Sequence, residues 1–282
     1  MAYTCFDVDV TDGVAHLILK RADELNTMTP EFWRELPEIV SGLSASGEAR
    51  AVVLSSTGRH FTAGMDLSVF TGKSSLLGGA DADAELGRQR SQLRLSAALL
   101  QDSFTAVERA RMPVLAAIQG GCVGGGVDMV CACDCRYATS DAFFVIMETN
   151  IGMTADVGTL QRLPKLIPEG VAREYAYTGR RMSAQRAVEV GLVNQLFDTH
   201  DDLVAGVLEI AAEIAAQSPL AVWGTKEMIT YGRDHTVADG LNYVATWQTG
   251  MFQGFDMMEA FAAQADKRDP EYQDLLPEPG FD

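Results

Sequence analysis

The sequence predicts a layered α/β fold, on three observations. An alternating hairpin opens the chain. Two short, wholly apolar runs each lead into a glycine-containing turn. Amphipathic helical stretches fill the last third.

In "TCFDVDVTDGVAHLIL" (4–19), Phe6, Val8 and Val10 alternate with polar residues, Asp12-Gly13 turns the chain, and Ala15, Leu17 and Leu19 alternate back. Thr29-Pro30 is a capping residue followed by the imino acid favoured at the first helical position, so a helix is expected from there to about Ser44. "ARAVVLSS" (49–56) reads as a buried strand, and "TGRHFTAGMDL" (57–67) as the loop after it. Residues 71–85 mix glycine, serine and acids and read as a mobile loop. Leu93, Ala97, Leu100, Phe104 and Val107 mark one face of a long helix. "MPVLAAIQG" (112–120) is a second buried strand. From about residue 156 the pattern is helical. Ser183 is placed to cap a helix through Val190, and 201–217, 219–231 and 236–250 are amphipathic. This order divides the chain into a β/α core over 1–200 and a helical region over 201–282.

Composition narrows the function. With 282 residues, 47% of them hydrophobic, the chain can bury a large core, and its apolar runs are too short to span a bilayer. A net charge of −17 disfavours nucleic acid as a partner. "MAYTCFDVDV" lacks a signal-peptide pattern and is too acidic for a transit peptide, and "LLPEPGFD" carries no retention or peroxisomal address, so the expected location is cytoplasmic. Cys5, Cys122, Cys131, Cys133 and Cys135 are odd in number, and "CACDC" lacks zinc-knuckle spacing, so no disulfide framework or metal site is expected. No G-x-S-x-G is present, and His16, His60, His200 and His235 are scattered.

The glycine loops hold the chemistry. Val52–Leu54 leads to Ala63-Gly64-Met65-Asp66, and Leu115–Ile118 leads to Gly124-Gly125-Gly126. In a parallel sheet such strand ends share an edge, and a backbone N–H from each loop can converge on one oxygen as an oxyanion hole. The segment "GCVGGG" misses the dinucleotide fingerprint and has no early βαβ unit around it. Tight helix packing is the bland alternative for these glycines.

"HFTAGMDL" (60–67) and "GGCVGGGVDMVCACDCRYATSDAFF" (120–144) resemble the two signature segments of the crotonase, or enoyl-CoA hydratase/isomerase, superfamily. The resemblance covers nearly the whole chain. "GMTADVGTLQRLPKLI" (152–167) and "RDHTVADGLNYVATW" (233–247) are similar to its Δ3,5-Δ2,4-dienoyl-CoA isomerase branch. The resemblance implies a stacked ββα superhelix with a C-terminal helical trimerisation region, and trimers that pair into hexamers. It implies an acyl-CoA thioester substrate in fatty acid β-oxidation, with no cofactor beyond the CoA that the substrate carries. By position, Ala63, Gly64, Met65, Asp66, Leu67 and Gly125 would contact the thioester, and the N–H groups of Met65 and Gly125 would hold its oxygen.

It also places three acids. Asp128 and Glu148 stand where hydratases carry their two glutamates, and Asp156 stands where they carry a small residue. Moving a 3,5-diene to 2,4 removes a proton from C2 and adds one at C6, which needs two separated proton-transfer groups. Glu148 at C2 and Asp156 at C6 fit that need, with Asp128 tuning Glu148. Each acid also has a local reading: Asp156 as a helix N-cap, Glu148 as a solvated strand end, Asp128 as a cap or local pair. The competing functions are enoyl-CoA hydration, which leaves Asp156 unexplained, and a crotonase-like protein that only binds, for example RNA. Arg21-Ala22 stands where many relatives have Arg-Pro, and Asn150 where some carry an acid.

Overall fold

A computed structural model describes residues 2–66, 69, 85–252 and 254–280. Leu67 and most of the 71–85 segment therefore lie outside the described residues.

The hairpin forms as the alternation requires. Strands β1 (Phe6–Thr11) and β2 (Val14–Leu19) pair antiparallel, with Phe6 opposite Leu19 and Thr11 opposite Val14. Both turn residues take positive φ, 50° at Asp12 and 77° at Gly13, which is the backbone a two-residue hairpin needs. Helix α1 (Pro30–Ser46) starts at the expected proline and stops at Gly47, whose φ is 79°.

The main sheet has strand order β1-β2-β3-β4-β6-β9, with β3 (Ala51–Ser56), β4 (Val114–Ile118), β6 (Cys135–Thr139) and β9 (Gln195–Phe197) all parallel to β2. A second sheet holds β5 (Gly121–Val123), β7 (Phe143–Val145) and β8 (Met182–Ser183). Each turn of chain gives one segment to each sheet. β4 is followed by β5 and then helix α3 (Gly125–Ala132), and β6 is followed by β7. β3 is followed by Thr62, bridged parallel to Cys122 of β5, and then by helix α2 (Leu86–Arg109). This repetition is the stacked ββα superhelix.

The continuous apolar runs of β3 and β4 have a direct cause: both faces of the sheet are covered. Val52, Leu54, Val114, Ala116 and Ile118 join the large core with α1, α2 and α3. Their neighbours Ala51, Val53, Leu115 and Ala117 face the other way. There they meet Leu203, Val207, Ala211 and Ala215, spaced four apart on helix α7 (His200–Ala215). Full burial of Leu203 or Val207 stabilises this layer by roughly 1.5–3 kcal/mol each.

Helices α4 (Thr159–Leu166), α5 (Glu169–Thr178) and α6 (Ala184–Glu189) lie between the two sheet segments β7 and β9 in sequence. Ser183 caps α6 by accepting the Arg186 N–H at 3.2 Å, as its position predicts. After α7 the chain bends by 106° into α8 (Pro219–Gly232), followed by α9 (Val237–Met251) and α10 (Phe255–Asp266). α8 is tied to the core by Lys226, which donates to Asp134 at 2.8 Å and to the Met112 carbonyl at 3.0 Å. Its outer partner α9 buries no residue of its own.

One expected face is only half realised. On α2, Leu100, Phe104 and Val107 are buried, but Leu93 is 50% exposed.

Candidate active site

The parallel pairing of β3 with β4 sets both glycine loops at one sheet edge. In the first, Met28 takes the N–H of Asp66 and donates to the carbonyl of Gly64. The backbone alternates, so the Met65 N–H between them faces away from Met28. Gly64 makes the required kink with φ 88°, and a β-carbon there would lie 2.7 Å from the Val123 carbonyl and 3.6 Å from the Gly125 nitrogen. Any other residue would push the loops apart. Among the described residues, neither the Met65 nor the Gly125 N–H donates to a protein oxygen. Gly125 opens α3, so its N–H is one of the unsatisfied donors of a helix start.

Gly124 carries the chain into α3 with φ 52° and ψ −121°. Its α-carbon faces the second element of the site: a β-carbon at that position would sit 3.4 Å from Glu148 Oε1. The Glu148 carboxyl thus lies against the start of α3, next to the free Gly125 N–H. Glu148 stands on a 3-10 turn, Glu148–Ile151, held to α5 by two side chains. Thr149 donates to the Ala176 carbonyl at 2.7 Å, and Asn150 donates to the Gly179 carbonyl at 2.9 Å. Asn150 is therefore an anchor of this turn. Nothing in the spacing of the sequence points to that bond.

Asp128 is 0% exposed, on the inward face of α3. Its Oδ1 accepts the Thr159 N–H at 2.5 Å, so it caps α4 from another helix. Its Oδ2 and Glu148 Oε2 are both buried without a hydrogen-bond partner among the described residues. Burial, then the neighbouring charges of Glu148 and Asp156, push the Asp128 carboxyl up to about 7, against the Thr159 N–H that favours its ionised form. Burial and the Asp156 charge also raise Glu148.

Asp156 lies at the surface on the loop before α4, and partial desolvation raises its carboxyl as well. It is not the cap of α4: Gly158 occupies the cap position and Asp128 supplies the acceptor. Gln101 of α2 holds the loop by donating to the Asp156 carbonyl at 2.7 Å. The charges of Glu148 and Asp156 act on Asp128, that of Asp156 acts on Glu148, and the Glu148 carboxyl lies beside the second glycine loop. Of the residues expected at the thioester, Ala63 donates its N–H to the Leu25 carbonyl, and Asp66 accepts from the Thr27 hydroxyl at 2.8 Å, fixing the first loop. Arg21 donates to the Thr27 carbonyl of the same turn at 2.8 Å.

The remaining candidates are structural. His16 bonds to Ser55 at 2.7 Å, His60 accepts the Gly121 N–H at 2.9 Å, and His235 stacks on Tyr231. Cys122, Cys131 and Cys133 are buried in the core, where the low dielectric pushes the last two thiols up to about 12.

This geometry agrees with what the chain resembles. The family model for enoyl-CoA hydratase/isomerase matches residues 9–275. The Arabidopsis thaliana protein named peroxisomal Delta(3,5)-Delta(2,4)-dienoyl-CoA isomerase is 42% identical over 93% of this chain and 94% of its own. The mitochondrial protein of that activity from Mus musculus is 42% identical over 91% of this chain and 77% of its own. The solved enoyl-CoA hydratase of Bacillus anthracis superposes with a TM-score of 0.84 at 32% identity, over 95% of this chain and 99% of its own. These relatives overturn the expected cytoplasmic location, since they are named for the peroxisome or the mitochondrion. An acidic first stretch and an unremarkable last one are weak grounds for a compartment, because addresses are read by receptors and not set by the fold. A matched model spanning most of the chain, together with relatives at 42% identity, places the protein in the enoyl-CoA hydratase/isomerase family.

Proposed function

We propose that this chain isomerises 3,5-dienoyl-CoA to 2,4-dienoyl-CoA, a step in the oxidation of unsaturated acyl chains. In this reading the Met65 and Gly125 N–H groups hold the thioester oxygen. Glu148 takes the C2 proton, and the charge spreads through the dienolate to that oxygen and to C6. Asp156 delivers a proton to C6. Preorganised donors at the oxygen stabilise the dienolate without the reorganisation that water would require. CoA enters as part of the substrate.

The observation that carries the reading is the division of labour among the acids. Glu148 and Asp156 stand on separate segments and make no side-chain bond to each other, while Asp128 is committed to the Thr159 N–H. Asp128 is then a positioning and tuning residue. Its bond sets the Asp156 loop, and its charge state is coupled to Glu148.

Hydration is the second reading, favoured by the named activity of the Bacillus anthracis structure. It needs two carboxylates sharing one water at C2 and C3. The bond from Asp128 to Thr159 opposes that use. A binding-only role toward RNA is opposed by the charge of −17.

The helices after α7 support self-association. Leu241, Phe252, Phe255, Met258 and Phe261 are exposed, Phe252 to 62%. A trimer or hexamer would cover them, and light scattering at micromolar concentration tests this: an active monomer overturns it. The activity itself is tested by absorbance. Addition of a 3,5-dienoyl-CoA should produce the conjugated 2,4-dienoyl chromophore. Faster hydration of a 2-enoyl-CoA would replace this reading with the hydratase.

A further inference from the structure

A two-acid isomerisation leaves the protein in the wrong protonation state for the next cycle. The C2–H bond breaks and its proton goes to the Glu148 carboxylate. The C6–H bond forms with a proton from Asp156. The substrate gains and loses nothing, but Glu148 ends as an acid and Asp156 as a carboxylate. One proton must leave the first and one must reach the second.

Asp156 lines a cavity that Glu148 does not reach, and Glu148 lines neither of the two cavities nearest the acids. A cavity of about 390 Å³ is lined by Ala63, Val123, Met147 and Asn150, on the side of the glycine loops and the Glu148 turn. A separate cavity of about 350 Å³ is walled by Asp156, Gln101, Thr105, Gln161, Arg162 and Lys165, and the two share no lining residue. The walls of the second are polar and already ordered. Arg162 pairs with Glu108 at 3.0 Å, Lys165 pairs with Asp234, and Gln101 holds the Asp156 carbonyl. An ion-paired, hydrogen-bonding wall favours water over an acyl chain.

We propose that this polar cavity is the route by which Asp156 recovers its proton from water, without passing the thioester end of the site. The inference rests on the isomerase reading above. It separates substrate entry from proton return. Asp156 resets through the polar cavity, and Glu148 releases its proton through the mouth by which product leaves.

The test blocks the cavity and leaves the acids untouched. Gln161 is exposed, and among the described residues its side chain makes no hydrogen bond, so Gln161→Trp fills space without breaking a contact. In rapid-quench experiments with a 3,5-dienoyl-CoA, the first turnover of Gln161→Trp should match wild type. Its steady-state rate should fall by about tenfold, equivalent to raising the reset barrier by ~1.4 kcal/mol. Product should therefore appear as a burst of one equivalent per site. Gln161→Ala, which leaves the cavity open, should show wild-type turnover and no burst.

A Gln161→Trp enzyme with equal first-turnover and steady-state rates overturns the route. So does an equal loss in both phases, because that marks a displaced loop. A wild-type enzyme that forms no 2,4-diene in its first turnover removes the isomerase reading, and the proposal with it. That failure is distinct from a missing burst.

Discussion

Glu148 and Asp156 are separated by one short turn of chain, yet they are held in opposite ways. The Glu148 turn is fastened to α5 by Thr149 and Asn150, and one carboxyl oxygen is sealed from solvent. The Asp156 loop is seated by the buried side chains of Ala155 and Val157, and hydrogen bonds reach its backbone from Gln101 at the Asp156 carbonyl and from Asp128 at the Thr159 N–H. Asp156 itself is exposed and forms part of the polar cavity wall. An acid that must take a proton from a carbon beside a thioester gains from a dry, fixed setting, where its basicity is raised. An acid that must deliver a proton and recover another gains from contact with water. The same residue class is thus given two roles by its anchors.

The largest test of this contrast is Glu148→Gln. It should abolish both diene formation and the wash-in of deuterium at C2 from deuterated water, each by roughly 10²–10⁴-fold. Asp156→Asn should lower diene formation by a similar order, about 10²–10⁴-fold, while C2 exchange survives, because Glu148 and both N–H donors remain. Full isomerase activity in Asp156→Asn would make the contrast irrelevant to catalysis.

Gly125→Val addresses the oxygen that both acids depend on. A β-carbon there would lie 2.9 Å from the Met28 sulfur, so the added side chain displaces the N–H. Loss of that donor should reduce both reactions together by about 10²–10³-fold, with the fold intact by circular dichroism. A normal rate would remove the loop from the site.

Asp128 offers a smaller, pH-dependent test. Its folded carboxyl titrates at about 7, above the unfolded value, so the folded state holds a proton that the unfolded state has already released. Its contribution to stability is full below the ordinary carboxylate pKa of about 4 and is lost as pH rises toward about 7. Urea unfolding across that window should show a shallower decline for Asp128→Asn than for wild type, since the amide oxygen can still accept from Thr159. Asn150→Ala should have the least effect. It should lower C2 exchange by only a few-fold, because Thr149 still anchors the turn and one neutral hydrogen bond contributes about 1 kcal/mol.

Much of this was legible in the sequence, and the parts that were not share a cause. The hairpin, the start of α1 at Pro30, the cap at Ser183, and the apolar strands β3 and β4 all follow from a residue and its near neighbours, whereas the expected end of α1 at about Ser44 falls short of its stop at Gly47. The short strands β5, β7 and β8 did not announce themselves. Each is two or three residues long, too brief for a period to register. Asp156 reads as a possible N-cap because it precedes a helix, but the cap comes from Asp128, thirty-one positions before the Thr159 N–H that it accepts.

The sequence by itself determined where the hairpin, the apolar strands β3 and β4 and helix α1 begin, because steric preference and apolar period act over a few residues. It also determined which glycines stand at the loops, because Gly64 and Gly124 take backbone angles that other residues resist. The tertiary structure alone decided that α7 closes the second face of the sheet, that Asn150 anchors the Glu148 turn, and that Asp128 is sealed while Asp156 is open. Burial and charge coupling depend on what packs alongside, and those neighbours come from segments that local sequence does not relate.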